Sequence, residues 1–543
     1  MSRTLSVRRS RLSQIEAVVD ASGVADELEE LLRPGGSGRP RDLSVRTFLI
    51  GMLYSVQRGG LRLTNIWQVL TEDLSKTAQQ RLRVQFSRPG DPPGPPRRTI
   101  TYDHLSRLLC ALAAKTAEDE HELLDRLANR LIEASTKDGL AATGDWAIDT
   151  TGIDAWSRGR EAKPAEATSD ASLNNEPDAP TDSPPATGLA ETSDPDAAWG
   201  YRTATMNKGN SEMFFGYDLY GFVSVPPIGV SAKDHPALIG RIELRSASSS
   251  EAPTTIAAID AIVETGTPVN KVIVDRGFSY KTEQTWANEL RARGIEQVLD
   301  MHAAERGRVD HHGIAMIDGT PHCPAIPQRL EVIEAPPIDA TRQEREQFAA
   351  DIEERSRYAM RRTKGWSTSP RTGTACERYE CPAEAGQLRC PHKAHSMAAP
   401  PEVPVVLNPP RLADAPTACV QRTIAVDDTA QPKLRQRHPW GTTKWAKDYG
   451  RRSLVESAFG LMSSPSIGGL RRGTFAVRGR AKVLVMLTAI TVTVNLHLTA
   501  KWRNTTADTS SCSAAGGTPQ EPAESSPESS QAHTGTDPPA EPN

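Results

Sequence analysis

Between residues 145 and 300 the spacing of apolar residues changes, and this change constrains the fold more than any other feature. Short apolar runs rich in aromatic and β-branched residues predict strands at 145–149, 214–225, 237–247, 271–275 and 295–301. Apolar residues at helical spacing predict helices at 254–266 and 281–294. Strands followed by an alternation of strand and helix are typical of a sheet with helices on its faces. We therefore predict an α/β fold.

The remaining sequence divides around this region into units of different character. Residues 1–140 have apolar residues at helical spacing and are predicted to form a helical domain. Residues 141–300 and 441–503 are interpreted as two parts of the α/β domain. Residues 301–440 interrupt the alternation with many prolines, several cysteines and a charged helix, which indicates an insertion.

Two segments are too polar to bury an apolar core, and we predict that both are disordered. Residues 161–198 contain nine acidic residues and one basic residue, and residues 504–543 contain six acidic residues and no basic one. Without these two segments the formal net charge changes from −4 to +10. A basic folded part suits a polyanionic partner, although an arginine-rich surface alone is weak support.

Residues 483–500 form an uncharged run of 18 residues, which raises the question of a membrane span. The run also contains four threonines, Asn495 and His497, so a buried helix of a soluble core is the preferred interpretation. The N-terminus lacks the apolar stretch of a secretory signal, and seven cysteines in 543 residues do not make a disulfide framework. We expect a cytoplasmic protein without a membrane partner.

Two aspartates stand where predicted strands end. Asp149 follows the apolar residues 146–148, and Asp275 follows 272–274. Because ligands collect at the carboxyl ends of strands in open α/β sheets, these two carboxylates are candidates for one site. Asp145 and Asp154 are alternatives to Asp149, and Asp300 is an alternative to Asp275. Asp149 and Asp275 are preferred because they end the more apolar runs.

A third motif lies after the insertion. Tyr449, Arg452 and Glu456 are spaced at i, i+3 and i+7, which places them on one face of a helix. A carboxylate that faces the core needs a counter-charge or a metal ion, since burial of an unpaired charge is costly. The alternative is an ordinary ion pair between Arg452 and Glu456, four residues apart.

The order of these motifs resembles that of the DDE transposases, specifically the insertion-sequence group whose third motif reads Tyr-x2-Arg-x3-Glu-x6-Lys. The resemblance includes AIDTTGI around Asp149, VIVDRGFSY around Asp275 and VRTFLIGMLYSV near the N-terminus, and it runs from about residue 40 to 500. Tyr449, Arg452 and Glu456 fit the spacing of the third motif. The position of its lysine is occupied by Ser463.

This resemblance implies an RNase H-like mixed sheet flanked by helices, with the insertion between the second and third carboxylates. Asp149, Asp275 and Glu456 would hold two Mg²⁺ or Mn²⁺ ions about 4 Å apart. The implied activity is metal-dependent cleavage of DNA at element ends, followed by transfer of the freed 3′-hydroxyl into target DNA. The implied partner is double-stranded DNA of the nucleoid, bound by a homodimer.

Four further residues would contact that DNA. In the resembled group the tyrosine and arginine of the third motif bind phosphates, which points to Tyr449 and Arg452. Arg471 and Arg472 are candidates to supply the charge that Ser463 lacks. In region 1–140, the segment 58–70 suits a DNA-binding helix-turn-helix, with a plain helical bundle as the alternative.

Two other functions stay open for the same residues. The first is a catalytically inactive descendant of a transposase that binds DNA, which the departure at Ser463 favours. The second is a nuclease of RNase H-like fold that performs no strand transfer.

Cysteines and histidines cluster in the insertion. Cys376, Cys381, Cys390 and His395 are predicted as a structural zinc site, with Cys323 as a further candidate. The spacing is irregular, and the alternative is that these cysteines serve as small apolar residues.

Overall fold

The computed structural model describes residues 10–34, 41–88, 91, 93–96, 98–117, 122–137, 142–159, 193–202, 212–231, 234–337, 339–368, 373 and 375–514. The helices are α1 (Arg11–Ser22), α2 (Val24–Leu32), α3 (Val45–Gln57), α4 (Leu63–Gln68), α5 (Lys76–Arg81), α6 (Tyr102–Thr116), α7 (Glu122–Thr136), α8 (Glu251–Glu264), α9 (Asn288–Ala292), α10 (Arg342–Tyr358), α11 (Thr417–Val420), α12 (Thr443–Tyr449), α13 (Ser453–Ser463) and α14 (Arg480–Ala514). The strands are β1 (Gln85–Phe86), β2 (Arg98–Thr99), β3 (Asp145–Asp154), β4 (Ala198–Arg202), β5 (Glu212–Ser224), β6 (Leu238–Ser246), β7 (Lys271–Ile273), β8 (Glu296–Val298), β9 (Arg308–His311), β10 (Ile314–Ile317), β11 (Thr320–His322), β12 (Arg361–Thr368), β13 (Ala375–Glu380) and β14 (Thr423–Asp427).

The central sheet is mixed, and the α/β prediction is confirmed. Strand β3 pairs antiparallel with β5 on one side and parallel with β7 on the other, and β7 pairs parallel with β8. The second edge of β5 is shared end to end by β4 and β6, both antiparallel. Strand β3 is therefore the point where an antiparallel half of the sheet meets a parallel half.

One face of this sheet shares a single core with the helices of the N-terminal region. Strand residues such as Ala147 and Ile273 pack in one apolar cluster with residues from α1, α3, α7, α13 and α14. Helix α14 contacts α7, α3 and β6, so it lies between the N-terminal helices and the sheet. The N-terminal helices thus continue the core of the α/β domain.

Two buried asparagines bind the backbone of β6. Asn129 of α7 accepts a hydrogen bond from the Ile242 amide and donates one to its carbonyl, at 2.9 and 3.0 Å. Asn495 of α14 binds the amide and carbonyl of Ile239 in the same way, at 3.0 and 2.8 Å. These side chains satisfy backbone groups that the sheet leaves unpaired. They also explain why a polar residue interrupts the apolar run of α14.

Helix α14 is long and apolar enough to cross a membrane by length and composition. Within the described residues it is the one candidate, over Arg480–Thr506, and 78% of its apolar window is buried inside the protein. Its apolar side chains pack against the sheet and the N-terminal helices. This burial is consistent with the core helix of a soluble protein.

The other face of the sheet packs against α8, α9 and the insertion. Ile148 and Val274 belong to this second core, together with Trp286 and the insertion residues Leu330 and Ile352. The insertion has more regular structure than its sequence indicates. It contains two three-stranded antiparallel sheets, β9–β10–β11 and β12–β13–β14, which share a small core of their own.

The structure describes a part of each segment that we predicted to be disordered, and both described parts are ordered. Residues 161–192 and 515–543 lie outside the described residues. Residues 193–198 are ordered, because Asp194 accepts hydrogen bonds from Tyr217 and the Gly479 amide, and Asp196 accepts one from the Arg480 amide. These carboxylates stabilise the first turn of α14. Residues 504–514 continue α14 instead of beginning a disordered tail.

Candidate active site

The register of the parallel strands places three aspartates side by side. Ala147 pairs with Ile273, which in turn pairs with Val298. Two residues beyond these positions stand Asp149, in the middle of β3, and Asp275 and Asp300, just past the ends of β7 and β8. Because side chains alternate between the faces of a sheet, this step of two keeps the aspartates on the face of Ala147, Ile273 and Val298, which the N-terminal helices and α13 cover. The prediction that Asp149 ends its strand is wrong, because β3 continues to Asp154 along its antiparallel pairing with β5.

Helix α13 lies on that same face and brings Glu456 to it. Val455 and Ala458 are buried in the shared core. The Phe459 ring lies over Gly221, where an added Cβ would come within 2.8 Å of it. Gly221 is the β5 partner of Asp149. The first turn of α13, which carries Glu456, is thus seated above the strand that carries Asp149.

A buried ion network holds the start of this helical region against the sheet. Asp448, fully buried at the end of α12, accepts hydrogen bonds from Arg451 and, at 2.9 Å, from Lys271, the first residue of β7. Arg451 also donates to Asp145, the first residue of β3, at 2.6 Å. Burial acts to raise the pKa of Asp448, but the hydrogen bonds from Lys271 and Arg451 lower it below its usual value. Asp145 therefore has a structural partner, and it lies at the start of β3, four residues before Asp149.

The third motif does not form one continuous helix. Tyr449 ends α12, residues 450–452 form a short 3-10 turn, and Glu456 lies in the first turn of α13. Arg452 nevertheless contacts both of its neighbours in the motif. It donates to Glu456 and forms a side-chain hydrogen bond with Tyr449. The expected proximity of the three residues holds even though the helix is interrupted.

The guanidinium of Arg452 bridges two of the three candidate carboxylates. It donates to Asp149 at 3.0 Å and also to Glu456. Burial raises the pKa of Asp149, the Arg452 charge opposes this rise, and the carboxylates of Asp275 and Glu456 add to it. Asp275 and Glu456 thus lie near enough to Asp149 for their charges to act on it, but the oxygens of the three carboxylates do not all come within 4.8 Å of one another.

Tyr449 closes one side of this carboxylate group. Its ring stacks on Trp445 with centroids 5.0 Å apart and planes 8° from parallel. Burial raises the pKa of Tyr449 to about 12, with Arg452 acting against the rise and Asp300 and Asp275 adding to it. The phenol is therefore neutral near pH 7 and available as a hydrogen-bond donor.

Asp300 has a separate role in the described structure. Its Oδ1 accepts hydrogen bonds from the indole of Trp440 at 2.8 Å and from the Met301 amide at 2.9 Å. By contrast, the Oδ1 of Asp275 accepts from the Gly277 amide at 2.9 Å, which turns the chain away from β7. The structure thus gives Asp300 a packing role between β8 and the segment before α12.

Sequence reasoning missed a fourth carboxylate beside Asp275. Glu251, at the start of α8, accepts a hydrogen bond from the Thr150 hydroxyl at 3.1 Å and lies 3.4 Å from the Lys281 ammonium. Burial raises the pKa of Glu251, Lys281 lowers it and Asp275 raises it. Its only sequence signal was an acidic residue in the first turn of a helix, which is common for reasons of helix stability.

A basic cavity lies beside the carboxylate group. Its volume is about 190 Å³, and its walls include Thr151 and Asp154 from β3 together with Ser463, Arg471 and Arg472. Asp154 and Arg472 also line a neighbouring cavity of about 670 Å³ with Trp156, Arg158 and Trp199. The two arginines and Ser463 thus share one wall. Asp154, the second alternative to Asp149, lies in these cavities instead of the carboxylate group.

The donor set fits a hard divalent cation. Carboxylate oxygens are the ligands that Mg²⁺ prefers in proteins, and Mg²⁺ retains waters that a phosphate can replace. Asp149, Asp275 and Glu456 offer only such oxygens. A different group, His311, His312 and Asp427 in the insertion, has ligand atoms within 4.8 Å of one another. Its imidazole nitrogens suit zinc or another transition metal more than magnesium.

The predicted zinc group is corrected in two of its four members. Cys376 and Cys381 stand at opposite ends of β13, roughly 16 Å apart at ~3.3 Å per residue, which is too far for one metal ion. His395 is mostly exposed and pairs with Glu384 at 3.1 Å. Cys381 and Cys390 do lie near each other, in a group with Cys323 and Cys419.

The carboxylates and the bridging arginine form a candidate site between the middle of β3 and the turn after β7, and the basic cavity lies toward the carboxyl end of β3. The site draws on β3, the turn after β7, the start of α13 and the loop before α14. Comparison of the chain with protein-family models and with curated proteins gives no match.

Proposed function

We propose that this protein is a DNA transposase of the DDE type, which cleaves DNA at element ends and transfers the freed 3′-hydroxyl into target DNA. The observation that carries the proposal is the convergence of Asp149, Asp275 and Glu456. These residues come from the middle of β3, the turn after β7 and a helix that follows a long insertion, and the carboxylates of Asp275 and Glu456 both raise the pKa of Asp149. A mixed sheet with an antiparallel and a parallel half supports the RNase H-like part of the proposal.

Each residue of the site has a separate role in the proposed reaction. Asp149, Asp275 and Glu456 would hold divalent cations, Mg²⁺ or Mn²⁺, and such ions would supply activation of the attacking oxygen and stabilisation of the leaving oxygen in an in-line displacement. Tyr449 donates its phenolic hydrogen to a phosphate oxygen, because its raised pKa keeps it protonated. Arg452 neutralises the carboxylates in the absence of DNA and pairs with a phosphate when DNA binds.

Arg471 and Arg472 extend the phosphate-binding surface. They line the same cavity as Ser463, which stands at the lysine position of the resembled motif. Guanidinium groups bind phosphates in a bidentate manner, so they replace a lysine charge effectively. In this proposal they hold the terminal nucleotides of the element beside the carboxylates.

A second candidate is a DNA-binding protein without cleavage activity. The bridging position of Arg452 favours it, because the guanidinium already occupies an oxygen of Asp149 and an oxygen of Glu456. In this case the basic cavities would still bind DNA, while the carboxylates would serve only as partners of Arg452.

The deciding experiment combines the full chain with DNA that carries the inverted repeats flanking its gene, in Mg²⁺ or Mn²⁺. The transposase proposal expects nicks at the element ends and joined products in a target plasmid. The variants Asp149→Asn, Asp275→Asn and Glu456→Gln should bind this DNA and fail to cleave it. DNA binding without cleavage by the natural protein would support the second candidate, and cleavage without joined products would indicate a nuclease.

A further inference from the structure

Four cysteines of the insertion meet at one small enclosed cavity. Cys323 follows β11, Cys381 follows β13, Cys390 lies in the next loop and Cys419 lies in α11. All four are free and buried, and they line a cavity of about 10 Å³. That volume is roughly the space of a single water-sized guest.

The sulfur atoms act on one another across this cavity. Burial raises the pKa of Cys323 to about 12, and the neighbouring Cys419, Cys381 and Cys390 add to the rise. Burial likewise raises the pKa of Cys419 to about 11, with contributions from Cys381 and Cys390. The four thiols thus line one cavity although their positions in the sequence span almost a hundred residues. No three of their sulfurs lie within 4.8 Å of one another, so the side chains would turn inward to bind an ion.

Backbone amides point at two of the sulfurs. Against burial, which raises both pKa values, the Ala325 amide lowers the pKa of Cys323 and the His392 amide lowers that of Cys390, so each amide lies near its sulfur. The Lys393 amide donates to the Cys390 carbonyl at 2.9 Å. In both places the cysteine is followed by a proline, which fixes the backbone so that the second residue after the cysteine turns its N–H back. Such donors stabilise a thiolate and orient it as a ligand. A cysteine that only fills apolar space has no need of them.

We propose that Cys323, Cys381, Cys390 and Cys419 bind a single structural zinc ion. Four thiolates are a closed tetrahedral ligand set for zinc, with no position left for substrate. The ion would join the sheet β9–β10–β11, through Cys323, to the sheet β12–β13–β14, through Cys381 and Cys419. Its role is to hold the two small sheets of the insertion together.

This site differs from the His311–His312–Asp427 group. There, the His311 Nε2 lies 3.2 Å from Asp427, which also accepts hydrogen bonds from the amide and hydroxyl of Thr429. The two groups have different chemistry, since one offers only sulfur and the other nitrogen and oxygen, so a spectrum can distinguish them.

The first test uses the full chain without substitutions. Elemental analysis of protein purified without added metal should find one zinc ion per chain. X-ray absorption at the zinc edge should show sulfur ligands alone, at about 2.3 Å. Absence of zinc, disulfides among these four cysteines, or a first shell that contains nitrogen would overturn the proposal. Since this test needs no variant, it holds even where a substitution prevents folding.

The second test uses matched variants. The double variant Cys381→Ser/Cys390→Ser should lose the zinc ion. The control Cys110→Ser/Cys376→Ser, which alters an exposed and a buried cysteine outside the cavity, should keep it. The variant His311→Ala/His312→Ala should also keep it. Loss of zinc from the histidine variant, together with its retention in the Cys381→Ser/Cys390→Ser variant, would reject this assignment.

Discussion

Arg452 donates a hydrogen bond of 3.0 Å to Asp149, a residue 303 positions earlier in the chain. The same guanidinium donates to Glu456. One cation is thus shared by two carboxylates that we propose as metal ligands. Arg452 and a divalent ion compete for the same oxygens, and this competition makes the role of Arg452 measurable.

The substitution Arg452→Ala should strengthen the binding of Mn²⁺ and weaken the binding of DNA. Removal of a positive charge beside the carboxylates is worth about 1 kcal/mol or more, so Mn²⁺ should bind at least about fivefold more tightly. Loss of one phosphate contact should reduce the slope of DNA affinity against salt by about 1. Calorimetry for Mn²⁺ and a salt titration of DNA binding measure the two effects.

The matched control for this variant is Arg107→Ala. Arg107 also pairs with a carboxylate four residues away, Asp103, but on an exposed face of α6. It should change neither measurement. An Arg452→Ala protein with unchanged Mn²⁺ affinity and unchanged salt slope would remove Arg452 from the site.

Asp275 and Asp300 occupy equivalent places on neighbouring strands, and they should respond differently to the same substitution. Asp275→Asn should abolish metal-dependent cleavage, because it removes a charged ligand. Asp300→Asn should keep cleavage within about threefold, a loss of less than 1 kcal/mol, since an amide oxygen still accepts the Trp440 hydrogen bond. Cleavage assays on the same DNA compare the two, and the reverse result would mean that Asp300 is the ligand.

The fold was predictable where local pattern decides it, and the site was predictable in part. The apolar runs at 214–225 and 271–275 mark β5 and β7 because strand burial leaves a direct trace in composition. The register between strands was not predictable, since nothing in the sequence fixes which residue of β3 lies beside Asp275. The in-register placement of Asp149 and Asp275 comes from the pairing of Ala147 with Ile273.

Contacts between distant segments were the part that sequence could not supply. Glu251 and Lys281 are separated by 30 residues and have no motif, yet they lie beside each other, and Glu251 lies near Asp275. The zinc prediction failed for a related reason. It grouped Cys376 with Cys381 because they are near in sequence, while an extended strand holds near positions apart.

Gly221 should be sensitive to the addition of one methyl group. A Cβ there would lie 2.8 Å from the ring of Phe459, so α13 must shift and carry Glu456 away from Asp149. Gly221→Ala should destabilise the protein by about 1–3 kcal/mol. It should also slow cleavage by up to about a hundredfold, the usual effect of a displacement near 1 Å.

A second substitution tests whether this effect comes from the contact with Phe459. The double variant Gly221→Ala/Phe459→Leu provides the missing space and should recover most of the cleavage rate. Gly460→Ala is the control on the same helix, because no atom lies within 4 Å of its added Cβ. A double variant that still cleaves DNA slowly would show that the contact between Gly221 and the Phe459 ring does not position α13.

Arg472 should contribute to DNA binding in a way that a lysine at position 463 can replace. Arg472→Ala should lower the salt slope of DNA affinity by about 0.9, the value for one phosphate contact. Ser463→Lys in that background should restore the slope, because Ser463 lines the same cavity. No change on Arg472→Ala would mean that the cavity does not bind the DNA backbone.

Asp448 should be essential for stability and irrelevant to the chemistry. Asp448→Asn leaves Lys271 and Arg451 buried without their main partner, and loss of one member of a buried ion pair costs about 3–5 kcal/mol. The exposed pair member Asp103 provides the control, since Asp103→Asn should change the free energy of unfolding by about 0.5 kcal/mol or less. Urea unfolding followed by tryptophan fluorescence measures both.

The pH dependence of this effect has a definite sign. The folded protein holds the pKa of Asp448 below its usual value of 3.8, so the unfolded chain binds a proton more readily than the folded one. The contribution of Asp448 is therefore complete above the unfolded pKa and is lost as pH falls through the lower, folded value. The stability difference between the natural protein and Asp448→Asn should stay constant from neutral pH to about pH 5 and shrink below about pH 4. A difference that grows on acidification would contradict the ion network with Lys271 and Arg451.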